Sequence, residues 1–450
     1  MMINWKKIVV IVLIFTACNK VEVGGKRLKN SEKTIRFERV ELFGKDTKVN
    51  NFYAENEMIC VWKDSANRSE LISAVIDSRF DGVLPEAYPL GSLIFTHQQY
   101  ERLKMSELKK ADIRFTETFF RIAHQLSFGK VNPKKLYGDW EPYVHPIDEV
   151  LLLNESLQEQ TVYNTLENLK PKGNLYQIYK KAFEKYVPVM SKDTLSEFEK
   201  TRKKVWVNLE RSKWLPDDLG DYYVWVNLPE YQLQFVNHDK ITATHKVIVG
   251  KKERRTPVLS SAFSGIILNP KWTVPPTILK KDIVPKATSD RSYFASHRLT
   301  IYDKKTGNVV DPEEWNPENY SSYRYVQQTG KLNSLGQIKF DFPNNHMVYL
   351  HDTNNRSMFN RSKRDLSSGC IRVEHPFELA ETIFEIEKVD LPRNELDTLV
   401  HHEKTKSFKL NKKVNVHQVY FTAVVDSTGT IQLYDDVYSL DNILYKRLIQ

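Results

Sequence analysis

The chain has 450 residues, of which 41% are hydrophobic and 27% are charged. This length and composition exclude a disordered or fibrous protein and predict two or three domains, each with its own core. The formal net charge of +9 favours an anionic partner but carries no information about the chemistry. The densest basic cluster, residues 404–413, has neither interleaved aromatic residues nor a nucleic-acid-binding motif, so we interpret it as a solvated face and expect no nucleic-acid partner.

The N-terminus has the pattern of an export signal. Lys6 and Lys7 precede an apolar stretch, residues 8–17, that is shorter than the roughly 20 residues needed to span a bilayer. Residues 15–18 (FTAC) resemble a lipobox, which predicts cleavage after residue 17 and a lipid anchor at Cys18. Plain secretion and an uncleaved anchor remain alternatives. We expect residues 1–18 to form the signal, residues 19–40 a polar tether, and the protein to be exported to the periplasm.

Only three cysteines are present, so the chain is not a disulfide scaffold. If Cys18 is lipidated, the free thiols that remain are those of Cys60 and Cys370. Cys60 lies in the apolar run 58–62, which predicts a small buried hydrophobic residue. Cys370 follows a Ser-Ser-Gly turn and is the candidate nucleophile.

Helical periodicity dominates residues 41–215, which we predict to form a mostly helical domain. Apolar residues at helical spacing in 71–76 and 115–126 predict two helices that end at Asp81-Gly82 and Gly129. Two further helical segments are predicted at 151–169 and 191–209. The helical domain is expected to end near Pro216.

From Asp221 onward the apolar residues alternate as in strands, and residues 216–450 are predicted to form a β-rich domain. Predicted strands lie at 223–228, 231–236, 241–249, 265–268, 347–350, 422–426 and 430–434. The predicted fold class is therefore α+β, a helical domain followed by a β-rich domain. Polar and aromatic residues at about 287–334 interrupt the β pattern, and we interpret them as an inserted lid or binding loop, or alternatively as an inert excursion.

Two short segments carry the candidate chemistry, YLHDT at 349–353 and SSGCIRV at 367–373. A cysteine nucleophile needs thiolate character, which a neighbouring imidazole such as His351 can supply. Gly369 leaves backbone amides free to face an oxyanion, and Arg372 is placed to pair with a substrate carboxylate. The spacing alone is also compatible with a buried cysteine and a structural histidine.

The two segments resemble the active-site signature of the YkuD-type L,D-transpeptidase domain. The common form of that signature has a histidine directly before Gly-Cys, where this chain has Ser368. The form with serine is similar to the signature of the larger YcbB-like branch of the family. Further similar strings at 71–88, 126–140, 208–216 and 269–275 extend the resemblance over most of residues 50–440. The branch often carries a peptidoglycan-binding module, but residues 170–202 are too short for it, so we expect it to be absent.

The resemblance implies the reaction and its participants. Cys370 would attack a tetrapeptide stem of peptidoglycan, release D-Ala and pass the acyl group to a second stem, which makes a 3-3 cross-link. His351 would be the base, the amides of Gly369 and Cys370 with Tyr349 would bind the oxyanion, and carbapenems would acylate the cysteine. The site set implied by the resemblance also includes Ser368, Arg372 and Trp272. No cofactor or metal is expected.

Other functions and roles stay open at this stage. If the acyl group were transferred to water, the protein would be an L,D-carboxypeptidase, and if it were transferred to a protein amine, the protein would be a wall-anchoring enzyme. If the fold were inactive, the protein would be a wall-binding lipoprotein. Asp352 and Thr353 either orient His351 or end its strand. His375 is predicted to lie near a helix cap rather than to bind a metal with His351, since no CxxC or HExxH pair supplies further ligands.

Overall fold

The computed structural model describes residues 29–42, 44–185, 195–426 and 428–450. The predicted signal, the predicted lipid attachment at Cys18 and the first part of the predicted tether lie outside these residues. None of the helices in the described ranges is both long enough and apolar enough to cross a membrane.

The N-terminal half is helical, as predicted. Its helices in the described residues are α1 (Thr47–Glu55), α2 (Ser65–Asp77), α3 (Leu90–Gln99), α4 (Met105–Ser127), α5 (Pro133–Tyr137), α6 (Glu149–Glu159), α7 (Val162–Asn168), α8 (Asn174–Glu184) and α9 (Leu195–Ser212).

Local chemistry explains where several of these helices begin and end. The Asp64 carboxylate accepts a hydrogen bond from the Ala66 amide at the start of α2, and Asp148 caps α6 in the same way, which satisfies amides that have no partner within the helix. The helical segment predicted at 151–169 is helical in the structure, but it is divided into two helices. Gln160 adopts the left-handed conformation with φ of 55° and separates α6 from α7.

The C-terminal half is β-rich, which confirms the α+β prediction. Its strands are β1 (Tyr222–Asn227), β2 (Gln232–Asn237), β3 (Lys240–Gly250), β4 (Leu259–Ala262), β5 (Gly265–Leu268), β6 (Trp272–Thr273), β7 (Leu299–Asp303), β8 (Val309–Val310), β9 (Tyr323–Gln327), β10 (Ile338–Asp341), β11 (Leu350–His351), β12 (Asp365–Ser367), β13 (Ile371–Val373), β14 (Lys406–Lys409), β15 (Asn415–Val419), β16 (Ala423–Val425) and β17 (Ile431–Leu433). Its helices are α10 (Pro276–Ile278), α11 (Val284–Ser289), α12 (Ser292–Ser296), α13 (Pro376–Glu387), α14 (Arg393–His401) and α15 (Asp441–Leu448).

The main sheet is mixed and curled, with strand order β14-β5-β10-β11-β13-β3-β2-β1-β15-β4, and β12 pairs with β3. The predicted strand at 347–350 is shorter than expected. Met347 has φ of 55°, and the Asn344 side chain hydrogen bonds to both the amide and the carbonyl of Val348, so only Leu350 and His351 enter the ladder.

A second, antiparallel sheet of order β6-β9-β7-β8 stands apart from the main sheet, and we call residues 272–327 the insert. Its own core is formed around Phe294, Trp315 and Tyr325, and the Trp315 indole donates to the Tyr325 hydroxyl at 2.6 Å. The insert therefore begins before the predicted boundary at 287, because β6 pairs with β9 across the intervening residues.

Residues 137–214 share a core with the β-rich half, whereas residues 35–166 contribute to a second, separate core. Trp140, three residues after α5, packs edge-on against Trp214 with ring centroids 5.4 Å apart. Beside it, the carboxylate of Glu210 in α9 accepts hydrogen bonds from the amides of Lys130 and Val131 and from the ammonium of Lys213 at 3.3 Å. The Glu210 and Lys213 side chains are only 2% and 1% exposed. This buried pair ties α9 to the end of α4.

Replacing Glu210 by Ala should destabilise the protein strongly, because Lys213 and two amides would lose their buried acceptor. We expect the free energy of unfolding to fall by about 3–5 kcal/mol, measured by denaturant unfolding. Asp397→Ala, which removes an exposed ion pair with Arg393, is the control and should change it by less than about 1 kcal/mol. Equal effects of the two substitutions would contradict the claim that the buried Glu210 carboxylate stabilises the fold.

Candidate active site

Parallel pairing of β11 with β13 brings the predicted site residues together. Leu350 pairs with Ile371, and His351 pairs with Arg372. Because side chains alternate between the two faces of a sheet, His351 and Arg372 share one face, and Cys370, two residues before Arg372, lies on it as well. Leu350 and Ile371 are fully buried on the opposite face, so the core fixes the register that places the site.

The turn that carries the nucleophile is held by hydrogen bonds to neighbouring residues. The Ser367 hydroxyl donates to the Cys370 carbonyl at 2.6 Å and accepts from the Gly369 amide at 3.1 Å. Thr256 donates its hydroxyl to the Gly369 carbonyl at 2.8 Å. Gly369 has φ of 119°, a conformation that other residues rarely adopt. Cys370 is partly exposed at the end of this turn.

The turn changes the prediction that the amides of Gly369 and Cys370 both bind the oxyanion. The Gly369 amide is occupied by Ser367, because the tight turn points it back at that hydroxyl. Within the described residues the Cys370 amide makes no hydrogen bond. One backbone donor, rather than two, is thus free beside the sulfur.

The imidazole of His351 is buried, with 4% of its surface exposed. Its Nδ1 hydrogen bonds to the Asp352 carbonyl, and the backbones of Asp352 and Leu335 act to raise its pKa. Burial lowers the pKa of His351 to about 3, and the cations of Arg372 and Lys339 add to this effect. The ring is therefore neutral at physiological pH, which is the form that can accept a proton.

The thiol of Cys370 lies among hydrogen-bond donors. Burial raises its pKa, while hydrogen bonds from the backbone and hydroxyl of Tyr349, with the charges of Lys339 and Arg372, act in the opposite direction. Burial raises the pKa of the Tyr349 hydroxyl, and Trp272 of the insert acts to lower it. The Lys339 ammonium lies 4.2 Å from the centroid of the Tyr349 ring. These groups stabilise negative charge at the sulfur or next to it.

The resting pair is thus a neutral thiol and a neutral imidazole. In the described residues no hydrogen bond links the His351 ring to the sulfur of Cys370, although both lie on the same face of adjacent strands. Catalytic hydrogen bonds commonly tighten only when substrate is bound. Burial disfavours the charged forms of both groups in the free protein.

Arg372 has a guanidinium without a carboxylate partner among the described residues. Its Nη1 lies 3.6 Å from the sulfur of Met358, and its Nε is buried without a hydrogen bond. Burial lowers the pKa of Arg372, and the charge of Cys370 opposes that effect. A substrate carboxylate would supply the missing partner.

Ser368, the residue that replaces the common second histidine, is exposed and accepts a hydrogen bond from Arg254 at 2.9 Å. Arg254 also forms a two-point ion pair with Asp282 of the insert. Arg254, Ser367 and Lys339 were not predicted as site residues. Ser367 precedes the predicted Ser368 in the same motif, but no sequence pattern brings residues 254 and 339 to the cysteine.

His375 behaves as predicted, since it precedes α13 at the N-cap position. Within the described ranges, no group of three or more His, Cys, Asp or Glu side chains is arranged to hold a metal ion.

The curled mixed sheet thus carries His351 in β11 and Cys370 immediately before the parallel neighbour β13. The profile of the YkuD L,D-transpeptidase catalytic domain matches residues 221–391, and that of the scaffold domain matches residues 47–183. The chain therefore contains a YkuD L,D-transpeptidase catalytic domain preceded by a scaffold domain, the order found in the YcbB-like architecture.

Individual relatives agree with this assignment. A Haemophilus influenzae protein described as "Putative L,D-transpeptidase" is 30% identical over 289 residues, which cover 64% of this chain. The chain spans 56% of that relative's length. A solved structure, the Ldtfm-avibactam carbamoyl enzyme, is 11% identical and covers 55% of this chain and 81% of its own, with a TM-score of 0.22, too low to support any argument.

The depressed pKa of His351 predicts a pH dependence of stability. The unfolded chain takes up this proton near pH 6.5 and the folded chain only near pH 3, so acidification favours unfolding over that window. Between pH 7 and pH 5 the loss should be about 2 kcal/mol. His351→Gln should remove this part of the slope in denaturant unfolding, whereas replacing the exposed His402 by Gln should keep it. An unchanged slope in His351→Gln would contradict the claim that the lowered pKa of His351 causes this pH dependence.

Proposed function

We propose that this protein forms 3-3 cross-links in peptidoglycan by L,D-transpeptidation. The observation that supports the proposal is the position of His351 in β11 and of Cys370 directly before its parallel neighbour β13, inside the segment that matches the L,D-transpeptidase catalytic domain. The donor is a tetrapeptide stem, and the acceptor is the side-chain amine of a second stem.

The first half-reaction makes a thioester. The Cys370 sulfur forms a bond to the carbonyl carbon of the L,D peptide bond while His351 takes the thiol proton. When the tetrahedral intermediate collapses, the carbon–nitrogen bond breaks and His351 returns the proton to the amine of D-Ala, which leaves.

In the second half-reaction the acceptor amine attacks the thioester, His351 removes its proton, and the thiolate departs. The Cys370 amide and the Tyr349 hydroxyl are the donors closest to the developing oxyanion in both halves. Loss of one such donor typically costs about 3 kcal/mol in the transition state. Arg372 binds a stem carboxylate and so orients the donor.

The reaction is tested by incubating purified protein with defined tetrapeptide muropeptides and analysing the products by mass spectrometry. We expect dimers with 3-3 links and free D-Ala from the wild type, and neither from Cys370→Ser. Cys60→Ala is the matched control, because Cys60 lies in the core of the scaffold half, and it should retain activity. Intact-mass measurement after carbapenem treatment should show one adduct on the wild type and none on Cys370→Ser.

The outcomes separate the alternatives. Truncated monomers without dimers would indicate L,D-carboxypeptidase activity with water as acceptor. Unchanged product yield in Cys370→Ser would exclude the cysteine mechanism altogether. Absence of any product, together with a normal carbapenem adduct, would point to a different acceptor, such as a protein amine.

We also propose that the protein works in the periplasm and is anchored by a lipid at Cys18. The support is the basic and apolar pattern of residues 1–18. Metabolic labelling of expressing cells with a fatty-acid analogue should mark the wild type and leave Cys18→Ala unmarked. Equal labelling of both would refute the anchor, and failure of both to be exported would refute the location.

A further inference from the structure

We propose that Asp352 is a positioning residue whose buried carboxylate holds the loop of residues 333–337 against His351 and thereby sets the place of the imidazole. The inference rests on the proposed role of His351 as the base and extends it to residues that do not touch the substrate.

The carboxylate of Asp352 supports the backbone of this loop directly. Asp352 is 1% exposed, and its Oδ2 accepts a hydrogen bond from the Gln337 amide at 3.0 Å. Gly336 has φ of 62°, and a Cβ placed on it would lie 2.4 Å from the same oxygen. The loop therefore passes so close to the carboxylate that only glycine fits.

Asp352 and this loop both lie against the ring. The Asp352 carbonyl hydrogen bonds to Nδ1 of His351, and the backbone of Leu335, two residues before Gln337, raises the pKa of the ring and so acts on it at close range. The Asp352 amide donates to the Ile338 carbonyl at 2.9 Å. A shift of the carboxylate would therefore move the Asp352 carbonyl and the Leu335 backbone together.

Buried amide side chains connect this loop to the insert. Asn333 donates to the carbonyls of Pro270 at 3.0 Å and Gln328 at 2.9 Å, and its own oxygen accepts from the Leu335 amide at 2.8 Å. Gln327, the last residue of β9, accepts from the Ser334 amide at 2.8 Å. The insert is thereby linked to His351 by hydrogen bonds to the backbone of the loop of residues 333–337, and not by contacts across the cleft.

Asp352 acts at a distance from the chemistry. In the described residues its carboxylate contacts the Gln337 amide and the guanidinium of Arg356, whose side chain is 62% exposed, and it contacts neither the ring of His351 nor the sulfur of Cys370. An exposed cation stabilises a buried carboxylate only weakly. The main structural role of this carboxylate is therefore to hold the loop.

The test is the pH profile of Cys370 alkylation by iodoacetamide in the full-length protein, followed at that residue by peptide mass spectrometry between about pH 5 and pH 10. The thiol must lose its proton as it attacks iodoacetamide, so proton transfer to the imidazole in that step makes the alkylation rate depend on the position of the ring. A loss of stability without displacement of the ring should leave the alkylation profile of the folded protein unchanged. We expect Asp352→Ala to shift the profile toward that of His351→Gln and to lower the rate at neutral pH about tenfold or more.

Two further variants keep the test decisive. Asp352→Asn retains an oxygen that can accept from the Gln337 amide, so it should recover most of the wild-type rate. Gly336→Ala should reproduce the Asp352→Ala profile, because the added carbon displaces the carboxylate. Asp365→Asn, a carboxylate on β12 that accepts from the Tyr231 hydroxyl, is the control and should keep the wild-type profile.

The proposal is overturned if folded Asp352→Ala, or folded Gly336→Ala, gives the wild-type profile. If Asp352→Ala fails to fold, as judged by thermal unfolding, the Gly336→Ala result decides. The measurement needs no wall peptide, so a protein that makes no 3-3 link but shows the shifted profile would refute the proposed function and support the role of Asp352.

Discussion

The site depends on one short parallel pairing, that of β11 with β13. Two residue pairs, Leu350 with Ile371 and His351 with Arg372, place the base and the nucleophile on a common face. The opposite face is filled by fully buried Leu350, Ile371 and Phe340, so a slip of one residue would bring His351 into the core. The free energy of the hydrophobic core therefore maintains the catalytic register.

Electrostatics favour a neutral pair until substrate binds. Burial depresses the pKa of His351 and raises that of Cys370, so neither group carries a charge that the interior would have to stabilise. The surrounding groups, Tyr349 and the cations of Lys339 and Arg372, favour negative charge at the sulfur of Cys370. Trp272 extends this surrounding into the insert, since it acts on the pKa of the Tyr349 hydroxyl.

Much of the fold could be predicted from periodicity alone, because amphipathic helices and alternating strands reflect burial directly. The first three strands of the β-rich half and the helix after His375 agree with their predictions to within one or two residues. The failures have local causes. Left-handed residues such as Gln160 and Met347 break a helix and shorten a strand without any glycine or proline to signal it.

The sequence by itself predicted the α+β class, which the structure confirms, and it singled out His351 and Cys370 as the candidate base and nucleophile, because the segments around them are short and chemically distinctive. Tertiary structure decided what surrounds them. Arg254, Lys339 and Leu335 reach the site from distant strands and loops, and the Ser367 hydroxyl takes the Gly369 amide that a local pattern leaves free. The reason is physical: pKa values and free donors depend on burial and on partners that only the folded chain brings together.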